Sequence, residues 1–507
     1  MSATVTQSPS PPDRSKAVRA PRTPNPWLVL VIACLAQFMV VLDASVVNIA
    51  LPSVQRGLHF SAANLQWVVN GYTLIFGGFL LLGGRAADLL GRKRLFVAGV
   101  ILFTAASLLN GVAQSSGMLI VGRGLQGLGG ALVSPAALAI VTTTFTDGEQ
   151  RTKALGVWSA IAAGGAAVGL LMGGVLTDIA SWRWVFFVNI PVGIATIALA
   201  LRYVRESRMD LEHRSYDVAG AVTVTGGLVV LVYAIVKAQA YGWGSARTLG
   251  LGALAVALLG AFLMIESRSK APLMRLSIFR IRTLAVADTA LLLVASGMFG
   301  MFFFASLYVQ EILGYSPLKA GLAFLPVTVG IIVGAGIAQQ LIKRLGVRVV
   351  SIAGITLAGL GMLILTQLPV HGSYVGNLLV GLVPMSIGMG LTFVPITLLG
   401  TSGVTAGDTG LASGLFNTAQ QVGGSLGLAI LSSLAASQTT SLLHGNGPAH
   451  PGSAIAARVS GYHVAFLAAA IMLGIAAVLM TFVLRKSHTA EIERELAETG
   501  GAIPVPA

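Results

Sequence analysis

Fourteen long apolar runs, separated by short polar segments, dominate this chain of 507 residues. They begin near Trp27, Leu65, Leu95, Met118, Ala154, Trp184, Val218, Leu249, Leu284, Ala320, Val349, Val375, Gly410 and His463. A run of about 20 apolar residues is long enough to cross a bilayer as a helix. Only 10% of the residues are charged and the mean hydropathy is +0.84, whereas soluble domains are about 25% charged. The sequence therefore predicts an all-α, polytopic membrane protein with fourteen spanning helices.

Lysine and arginine are distributed unequally between the two sides of this predicted membrane protein. With a cytoplasmic amino terminus, the outer loops hold only six of the 32 basic residues: Arg56, Arg183, Lys237, Arg247, Lys319 and Arg458. Arg123 lies inside a helix, and all others lie in inner loops or tails. By the positive-inside rule, both termini are predicted to be cytoplasmic in a multi-pass protein of the cell membrane. Because anionic lipid attracts such inner loops, the net charge of +14 predicts a lipid partner rather than a nucleic acid.

The spacing of the runs predicts five regions along the chain. These are a disordered cytoplasmic tail (1–26), a six-helix bundle (27–204), a two-helix insertion with basic cytoplasmic linkers (205–283), a second six-helix bundle (284–484) and a cytoplasmic tail (485–507). The segment DLLGRKR (88–94) has a faint echo in KRLGVRV (343–349), at the equivalent place in the second half. Parallel repeats of this kind enclose a site near the bilayer midplane in many transporters.

Asp43 is the only charged residue between Trp27 and Gln55. A carboxylate at such a depth costs about 2.5 to 3.5 kcal/mol to insert, so it normally faces a protein interior or a water-filled cavity and takes part in ion or substrate movement. Arg123 is buried in the same way in the fourth predicted helix. Both fall in the outer halves of their helices, where they can approach each other. Two interpretations stay open: a static ion pair, or an arginine that tunes a transported proton on Asp43.

The ninth predicted helix supplies further candidates for a substrate cavity. Asp288 sits a few residues into this helix, and it either lines the cavity or reaches the membrane interface. An aromatic cluster follows at Phe299, Met301, Phe302, Phe303 and Phe304. A lipid-facing surface is the favoured interpretation of that cluster, with Phe299 and Phe302 kept as candidates for substrate contact. No histidine or cysteine spacing matches a metal site, and none is predicted.

The loop between helices two and three reads GRAADLLGRKR (84–94). It resembles the G-x-x-x-D-x-x-G-R-K-R signature of the major facilitator superfamily, and Arg123 resembles the R-x-x-Q-G motif of that family's helix four. The resemblance implies a cytoplasmic gate formed by Gly84, Asp88, Gly91, Arg92, Lys93 and Arg94. Four longer segments resemble the fourteen-helix drug:proton antiporter branch of this family: LDASVVNIALP (42–52), SWRWVFFVNIPVG (181–193), YVQEILGYSPLKAGLAFLP (308–326) and GLASGLFNTAQQVGGSLGLAI (410–430).

The fifth predicted helix carries GAAVGLLMGG (165–174), with Gly165, Gly169, Gly173 and Gly174. Small residues four apart let helices pack closely, which is a generic explanation. The segment also resembles the antiporter motif G-x-x-x-G-P-x-x-G-G of the family. Leu170 stands where that motif has proline, so this motif alone leaves the direction of transport open.

Together these features predict a secondary active exporter of amphipathic, cationic or aromatic drugs that works by proton antiport and alternating access. The sequence has no G-x-x-x-x-G-K-[ST] loop, so ATP and other cofactors are not expected. No H-E-x-x-H or catalytic acid pair indicates an enzyme. The predicted partners are small molecules, protons and lipids, and a monomer is expected to function. A dedicated exporter of one endogenous metabolite, such as an antibiotic, siderophore or lipid, and, less favoured, an importer remain as alternatives.

Overall fold

The structure of this protein is a computed structural model. It describes residues 25–146, 148–208, 217–269, 272–404, 408–445, 451–485, 488–490, 492 and 494. The predicted amino-terminal tail (1–26) and carboxy-terminal tail (485–507) lie almost wholly outside these residues. Their predicted disorder therefore stays a prediction.

Fourteen helices in the described part of the chain are long and apolar enough to cross a membrane. They are α1 (Pro26–Leu58), α2 (Ala62–Leu90), α3 (Arg92–Gly111), α4 (Ser116–Thr144), α5 (Gly148–Ile179), α6 (Trp184–Tyr203), α7 (Val218–Tyr241), α8 (Ala246–Arg268), α9 (Arg282–Ile312), α10 (Pro317–Leu345), α11 (Val347–Leu365), α12 (Tyr374–Thr401), α13 (Gly410–Leu443) and α14 (Ser453–Phe482). The predicted fold class and helix count are confirmed. The predicted start of α14 at His463 is about three turns late, because the helix begins in a less apolar stretch that contains Arg458.

Local signals in the sequence set several helix ends. Ser316 caps α10, since its side chain accepts a hydrogen bond from the Lys319 amide, and Pro317 occupies the first turn. Gly91 joins α2 to α3 with φ +109°, and Gly346 joins α10 to α11 with φ +81°. Glycine favours both positions because residues with a Cβ rarely adopt such angles. The end of the molecule that holds these two turns is called the basic-loop end below, and the other is called the opposite end.

The helices form two bundles, α1–α6 and α9–α14. In the first, α4 packs on α1, α2 and α3, and in the second, α12 packs on α9, α10 and α11. The bundles meet at two seams, one between α2 and α13 and one between α5 and α10. At the α2–α13 seam the Thr73 and Ser425 hydroxyls share a hydrogen bond, and Thr418 donates to the Gly77 carbonyl at 3.3 Å.

The two inserted helices lie against the α2–α13 seam. Helix α7 contacts both bundles: Lys237 Nζ donates to Asn64 Oδ1 at 3.3 Å, and Gln239 Nε2 donates to Thr440 Oγ1 at 3.0 Å. Helix α8 packs on α7 and exposes much of its own apolar surface, including Leu249 and Val256. An exposed apolar surface on a spanning helix is suited to contact with acyl chains. The insertion therefore covers one seam and presents α8 to lipid.

Helices α1 and α9 join the two bundles in the half of the molecule nearer the opposite end. Ser306 Oγ of α9 donates to the Asn48 carbonyl of α1 at 2.8 Å, and Gln310 Nε2 donates to the Ile49 carbonyl at 2.9 Å. Glycine contacts close the α5–α10 seam at the same end, where a Cβ on Gly174 would lie 2.7 Å from the Pro317 carbonyl oxygen. The space between the bundles is therefore closed at the opposite end.

Candidate functional site

A cavity of about 1320 Å³ lies between the two bundles. It reaches from Asn48 and Thr73, near the middle of α1 and α2, to Asp88, Arg275 and Asp408 at the basic-loop end. Residues of α1, α2, α4, α5, α9 and α13 line it. Its volume is above the usual range for drug-sized pockets, which is about 300 to 1,000 Å³.

The cavity lining combines aromatic rings with uncharged polar side chains. The aromatic residues are Tyr72, Phe76, Trp158, Phe299 and Phe302, and the side-chain amides are Gln37, Asn48, Asn417, Gln420 and Gln421. The carboxylates among the described lining residues are Asp88 and Asp408, both at the basic-loop end. This chemistry suits a molecule with an aromatic body and a few hydrogen-bonding groups.

Asp43 lies in the middle of the first bundle and is completely buried. Its Oδ2 accepts a hydrogen bond from Arg123 Nη1, forming a buried ion pair. Its Oδ1 accepts from Gln126 Nε2 at 2.7 Å and from Asn189 Nδ2 at 3.0 Å. Asp43 is absent from the lining of the cavity, so its prediction as a cavity residue is wrong in this conformation. Of its three donors, Arg123 lines the cavity, whereas Gln126 and Asn189 do not.

Arg123 occupies the position between Asp43 and the cavity. Its Nε donates to the Val68 carbonyl at 2.9 Å, its Nη1 donates also to Gln126 Oε1 at 2.9 Å, and its guanidinium stacks over the Tyr72 ring at 4.4 Å from the centroid. Arg123 is 1% exposed, yet it lines the cavity. A planar guanidinium can pair with a carboxylate and stack on an aromatic ring at once. Arg123 is therefore the group through which a cavity ligand can reach Asp43.

Uncharged residues from three helices complete the network around Asp43. Ser107 Oγ accepts from Asn189 Nδ2 at 3.0 Å and from Gln126 Nε2 at 3.2 Å, and donates to the Phe186 carbonyl at 2.8 Å. Asn110 Nδ2 donates to Gln126 Oε1 at 2.7 Å. Sequence reasoning did not assign these roles. Gln126 lies in the R-x-x-Q-G motif and Asn189 lies in the segment 181–193. Membership of these two segments is the sequence feature that could have indicated both residues.

The network makes proton binding at Asp43 a conformational event. Each hydrogen bond from a donor stabilises the ionised carboxylate. A proton on either oxygen would remove the negative charge, so the ion pair with Arg123 and the hydrogen bonds from Gln126 and Asn189 would all weaken. Because two of the donors lie on α4 and one on α6, protonation changes contacts between three helices.

Asp288 of α9 occupies a different environment. It is 6% exposed, and neither carboxylate oxygen has a hydrogen-bond partner among the described residues. It lines neither the cavity nor the exposed surface, so both predicted positions are wrong. The reason is that Asp288 lies on a face of α9 that α12 covers: a Cβ added to Gly400 of α12 would lie 3.7 Å from Asp288 Oδ1.

The aromatic cluster of α9 does not form a lipid-facing surface. Met301, Phe303 and Phe304 are between 0 and 3% exposed and belong to the core of the second bundle. Phe299 and Phe302 line the cavity, as the candidate assignment had it. The lipid-facing interpretation was wrong because α9 is enclosed by α1, α12, α13 and α14. A helix that is apolar on all sides gives no sign of which faces its neighbours cover.

The residues predicted as a gate meet at the basic-loop end. Gly84, Asp88 and Arg92 line the mouth of the cavity, and Arg92 Nη2 donates to Asp88 Oδ1 at 3.0 Å. Glu206, which the sequence did not indicate, accepts from the amides of Lys93 and Arg94 at 3.1 Å each. In this conformation the predicted latch is bonded within its own bundle and does not close the cavity.

The glycines of α5 are contact points with two different helices. Gly165, Gly169 and Gly173 face Val41, Ser45 and Val46 of α1, and a Cβ on Gly173 would lie 2.6 Å from the Val46 carbonyl oxygen. Gly174 faces Pro317 of α10 in the other bundle. Leu170, which replaces the motif's proline, lies within an uninterrupted helix and lines the cavity.

Comparison with known sequences decides the family. The profile of the Major Facilitator Superfamily matches residues 33–428. The chain belongs to this superfamily. The puromycin resistance protein of Streptomyces alboniger is 40% identical over 501 residues, covering 98% of this chain and 97% of that protein. The cephamycin export protein of Amycolatopsis lactamdurans is 40% identical over 435 residues, covering 84% and 88%. The predicted family is confirmed.

Solved structures share the fold of this member of the superfamily. A bacterial homologue of the human lysosomal transporter Spinster, in an inward-facing and unoccupied conformation, aligns with a TM-score of 0.65 at 16% identity and covers 92% of this chain and 98% of that one. The POT family transporter PepTSo aligns with a TM-score of 0.64 at 17% identity, covering 90% and 99%. The chain is thus a multi-pass membrane protein with a transporter fold.

Proposed function

We propose that this protein is a secondary active exporter that moves amphipathic, aromatic compounds out of the cell in exchange for protons. One observation carries the proposal. Arg123 pairs with the buried Asp43 on one side and lines the central cavity on the other. A proton on Asp43 and a compound in the cavity therefore act on the same guanidinium, which is the connection that antiport needs.

The antiport cycle follows from this arrangement. With Asp43 ionised, Arg123 is held by the ion pair and the cavity is open at the basic-loop end, where a substrate binds. Protonation of Asp43 releases the guanidinium and changes contacts of α1, α4 and α6, which favours the other orientation of the cavity. One inward proton gains about 2.3 kcal/mol from a potential of ~100 mV. That energy can drive export against a concentration gradient without a cofactor.

The charge distribution supports the orientation. The basic-loop end carries Arg92, Lys93, Arg94, Lys343 and Arg344, and positively charged loops remain on the cytoplasmic side. The basic-loop end is thus cytoplasmic in this proposal, both termini lie in the cytoplasm, and the cavity faces inward. The cell membrane is the location, and a monomer is sufficient because one chain supplies both bundles.

The relatives support the substrate class. A puromycin resistance protein matches over nearly the whole chain, and a multidrug resistance protein of Mycobacterium tuberculosis (strain CDC 1551 / Oshkosh) is 35% identical over 416 residues. The aromatic lining agrees with such compounds. For a cationic drug, the two described lining carboxylates lie at the mouth, where Asp88 pairs with Arg92 and Asp408 with Arg275. In the centre of the cavity a cation would therefore meet aromatic rings and side-chain amides, while the Arg123 guanidinium would repel it.

Transport by inverted membrane vesicles tests the proposal. Vesicles acidified inside by respiration are given puromycin or ethidium outside, and accumulation is measured with and without a protonophore. Export predicts accumulation that the protonophore abolishes. Accumulation that needs the opposite gradient would instead show an importer, and accumulation that survives the protonophore but requires ATP would contradict proton coupling.

A dedicated exporter of one endogenous product is the second candidate. The observation in its favour is the presence of export proteins for single antibiotics among the relatives, such as the cephamycin export protein. A panel of chemically unrelated dyes and antibiotics separates the two. Accumulation of many panel members indicates a multidrug exporter, whereas accumulation of one chemical class indicates the dedicated one. Neither candidate requires enzymatic chemistry.

A further inference from the structure

The carboxyl group of Asp288 is buried without any of the groups that normally stabilise a charge. Both of its oxygens are enclosed and lack hydrogen-bond donors among the described residues. Buried polar atoms in proteins are nearly always hydrogen-bonded, so an unpartnered pair of oxygens calls for an explanation. Ionisable groups inside a membrane span are costly, and those that persist usually serve transport.

Among the residues that the structure describes, no unpaired charge faces Asp288 from the helices that surround it. Helices α12 and α13 contain no charged residue in their spans. On α1, Asp43 is paired with Arg123, and on α14, Arg458 is paired with Glu311 at the opposite end. At the basic-loop end, Arg275 pairs with Asp408, while Arg280 and Arg282 are exposed. The other titratable groups of these helices lie elsewhere: Cys34 is in the core of the first bundle, and Arg56, Tyr308, Tyr374, Tyr462 and His463 lie toward the opposite end.

An ionised carboxylate in such a place is far less stable than a neutral acid, because burial removes water and nothing replaces it. The neutral form carries a proton. Asp288 lies only about two turns inside α9 from the basic-loop end, and α13, which packs against α9, also lines the cavity. A movement of α12 or α13 relative to α9 would bring water to the carboxyl group and allow the proton to leave.

We propose that Asp288 is a second proton-binding site, located in the carboxy-terminal bundle and loaded in the conformation described here. This site is separate from the Asp43 network, since the two lie in different bundles and share no hydrogen-bond partner. It deepens the proposed function, because it makes exchange depend on more than one proton.

Proton stoichiometry tests the proposal. Purified wild-type protein, Asp288→Asn and the control Glu149→Gln are reconstituted in liposomes, the membrane potential is clamped at zero, and the equilibrium ratio of labelled puromycin is measured against imposed pH gradients. Each coupled proton multiplies that ratio by about tenfold per pH unit. The loss of one proton predicts a ratio about tenfold lower for Asp288→Asn at a gradient of one unit. Glu149, exposed and paired with Lys153 on the surface of α5, should give the wild-type ratio.

An equal ratio for Asp288→Asn and wild type would overturn the proposal. Total failure of transport in the wild type would instead count against the proposed function, and a second measurement then decides the fate of Asp288. Wild-type protein in detergent is treated with dicyclohexylcarbodiimide, an apolar reagent that modifies protonated carboxyl groups, and the labelled residues are found by mass spectrometry. Label on Asp288 at neutral pH with none on Glu149 is the expected result. An unlabelled Asp288 in folded protein across the pH range of stability would reject the proton site.

Discussion

Each of the two bundles buries a carboxyl group within a spanning helix, and the surroundings of the two groups are opposite in kind. Asp43 accepts three hydrogen bonds and pairs with an arginine, whereas Asp288 has no partner among the described residues. Under the two proposals above, the comparison separates two ways of controlling a proton. At Asp43 the proton competes with Arg123, which the cavity ligand can touch. At Asp288, binding and release of the proton depend only on whether water reaches the carboxyl group, and the conformation controls that access.

The largest effect is expected for Asp43→Asn. An amide cannot carry the transported proton, so substrate accumulation driven by the pH gradient should fall to the level of empty vesicles, while the protein still reaches the membrane. Accumulation in inverted vesicles and a membrane immunoblot measure the two quantities. Asp43→Glu, which keeps a titratable group, serves as the matched control and should retain part of the activity. Wild-type accumulation by the asparagine variant would mean that the ion pair is only structural.

Arg123→Ala tests the other member of the pair. It removes the charge that compensates Asp43, and breaking a buried ion pair from one side costs about 3 to 5 kcal/mol of stability. Thermal unfolding in detergent should show a clear decrease, and Arg123→Ala combined with Asp43→Asn should recover part of it because no charge is then left buried. If the double variant is as unstable as the sum of the single ones, Asp43 and Arg123 are not energetically coupled.

A smaller effect is expected for Asn189→Ala. This change removes one hydrogen bond to the Asp43 carboxylate, and a hydrogen bond to a charged group contributes about 1.5 to 3 kcal/mol. The ionised form of Asp43 loses a donor, so substrate accumulation should reach its half-maximal value at a higher pH than in the wild type. The pH profile of accumulation at a fixed gradient measures this shift. An unchanged profile would show that Asn189 does not act on the transported proton.

The smallest effect is expected for Asp288→Asn on stability. An amide has nearly the shape of a neutral carboxylic acid, so the free energy of unfolding should stay within about 0.5 kcal/mol of the wild type. Parallel thermal unfolding of Asp43→Asn should show a larger decrease, because that change leaves Arg123 buried without its counter-charge. If Asp43→Asn and Asp288→Asn lowered the free energy of unfolding equally, the paired and the unpaired carboxyl group would not differ in their contribution to stability.

The helices were predictable because each spanning segment must satisfy its own backbone and be apolar over its whole length. Asp43 and Arg123 were predictable for the same reason, since a charge stands out in an apolar run. The roles of Ser107 and Asn110 were not, because serine and asparagine in helices often bond to nearby backbone groups instead. Only the packing of α3 against α4 and α6 brings them to Asp43.

The position of Asp288 shows more clearly what the sequence could not predict. Its depth along α9 can be read from the sequence, but its direction cannot, because α9 is apolar on every side and has no polar face to orient it. The same lack of pattern led to the wrong lipid-facing interpretation of Phe303 and Phe304. Contacts with α12, α13 and α14 decide these directions, and these helices begin 62 or more residues after the end of α9.

The placement of α7 restricts how the two bundles can rock. Its hydrogen bonds to Asn64 on α2 and Thr440 on α13 tie the bundles together along one edge, near the end that must open to release cargo outside. Separation of α2 from α13 there would stretch or break these bonds. The α5–α10 edge has its own link at that end, a hydrogen bond of 3.5 Å from Ser316 Oγ to Asp178 Oδ2 beside the glycine contacts, but no inserted helix bridges it. The insertion thus adds resistance to opening along the α2–α13 edge alone.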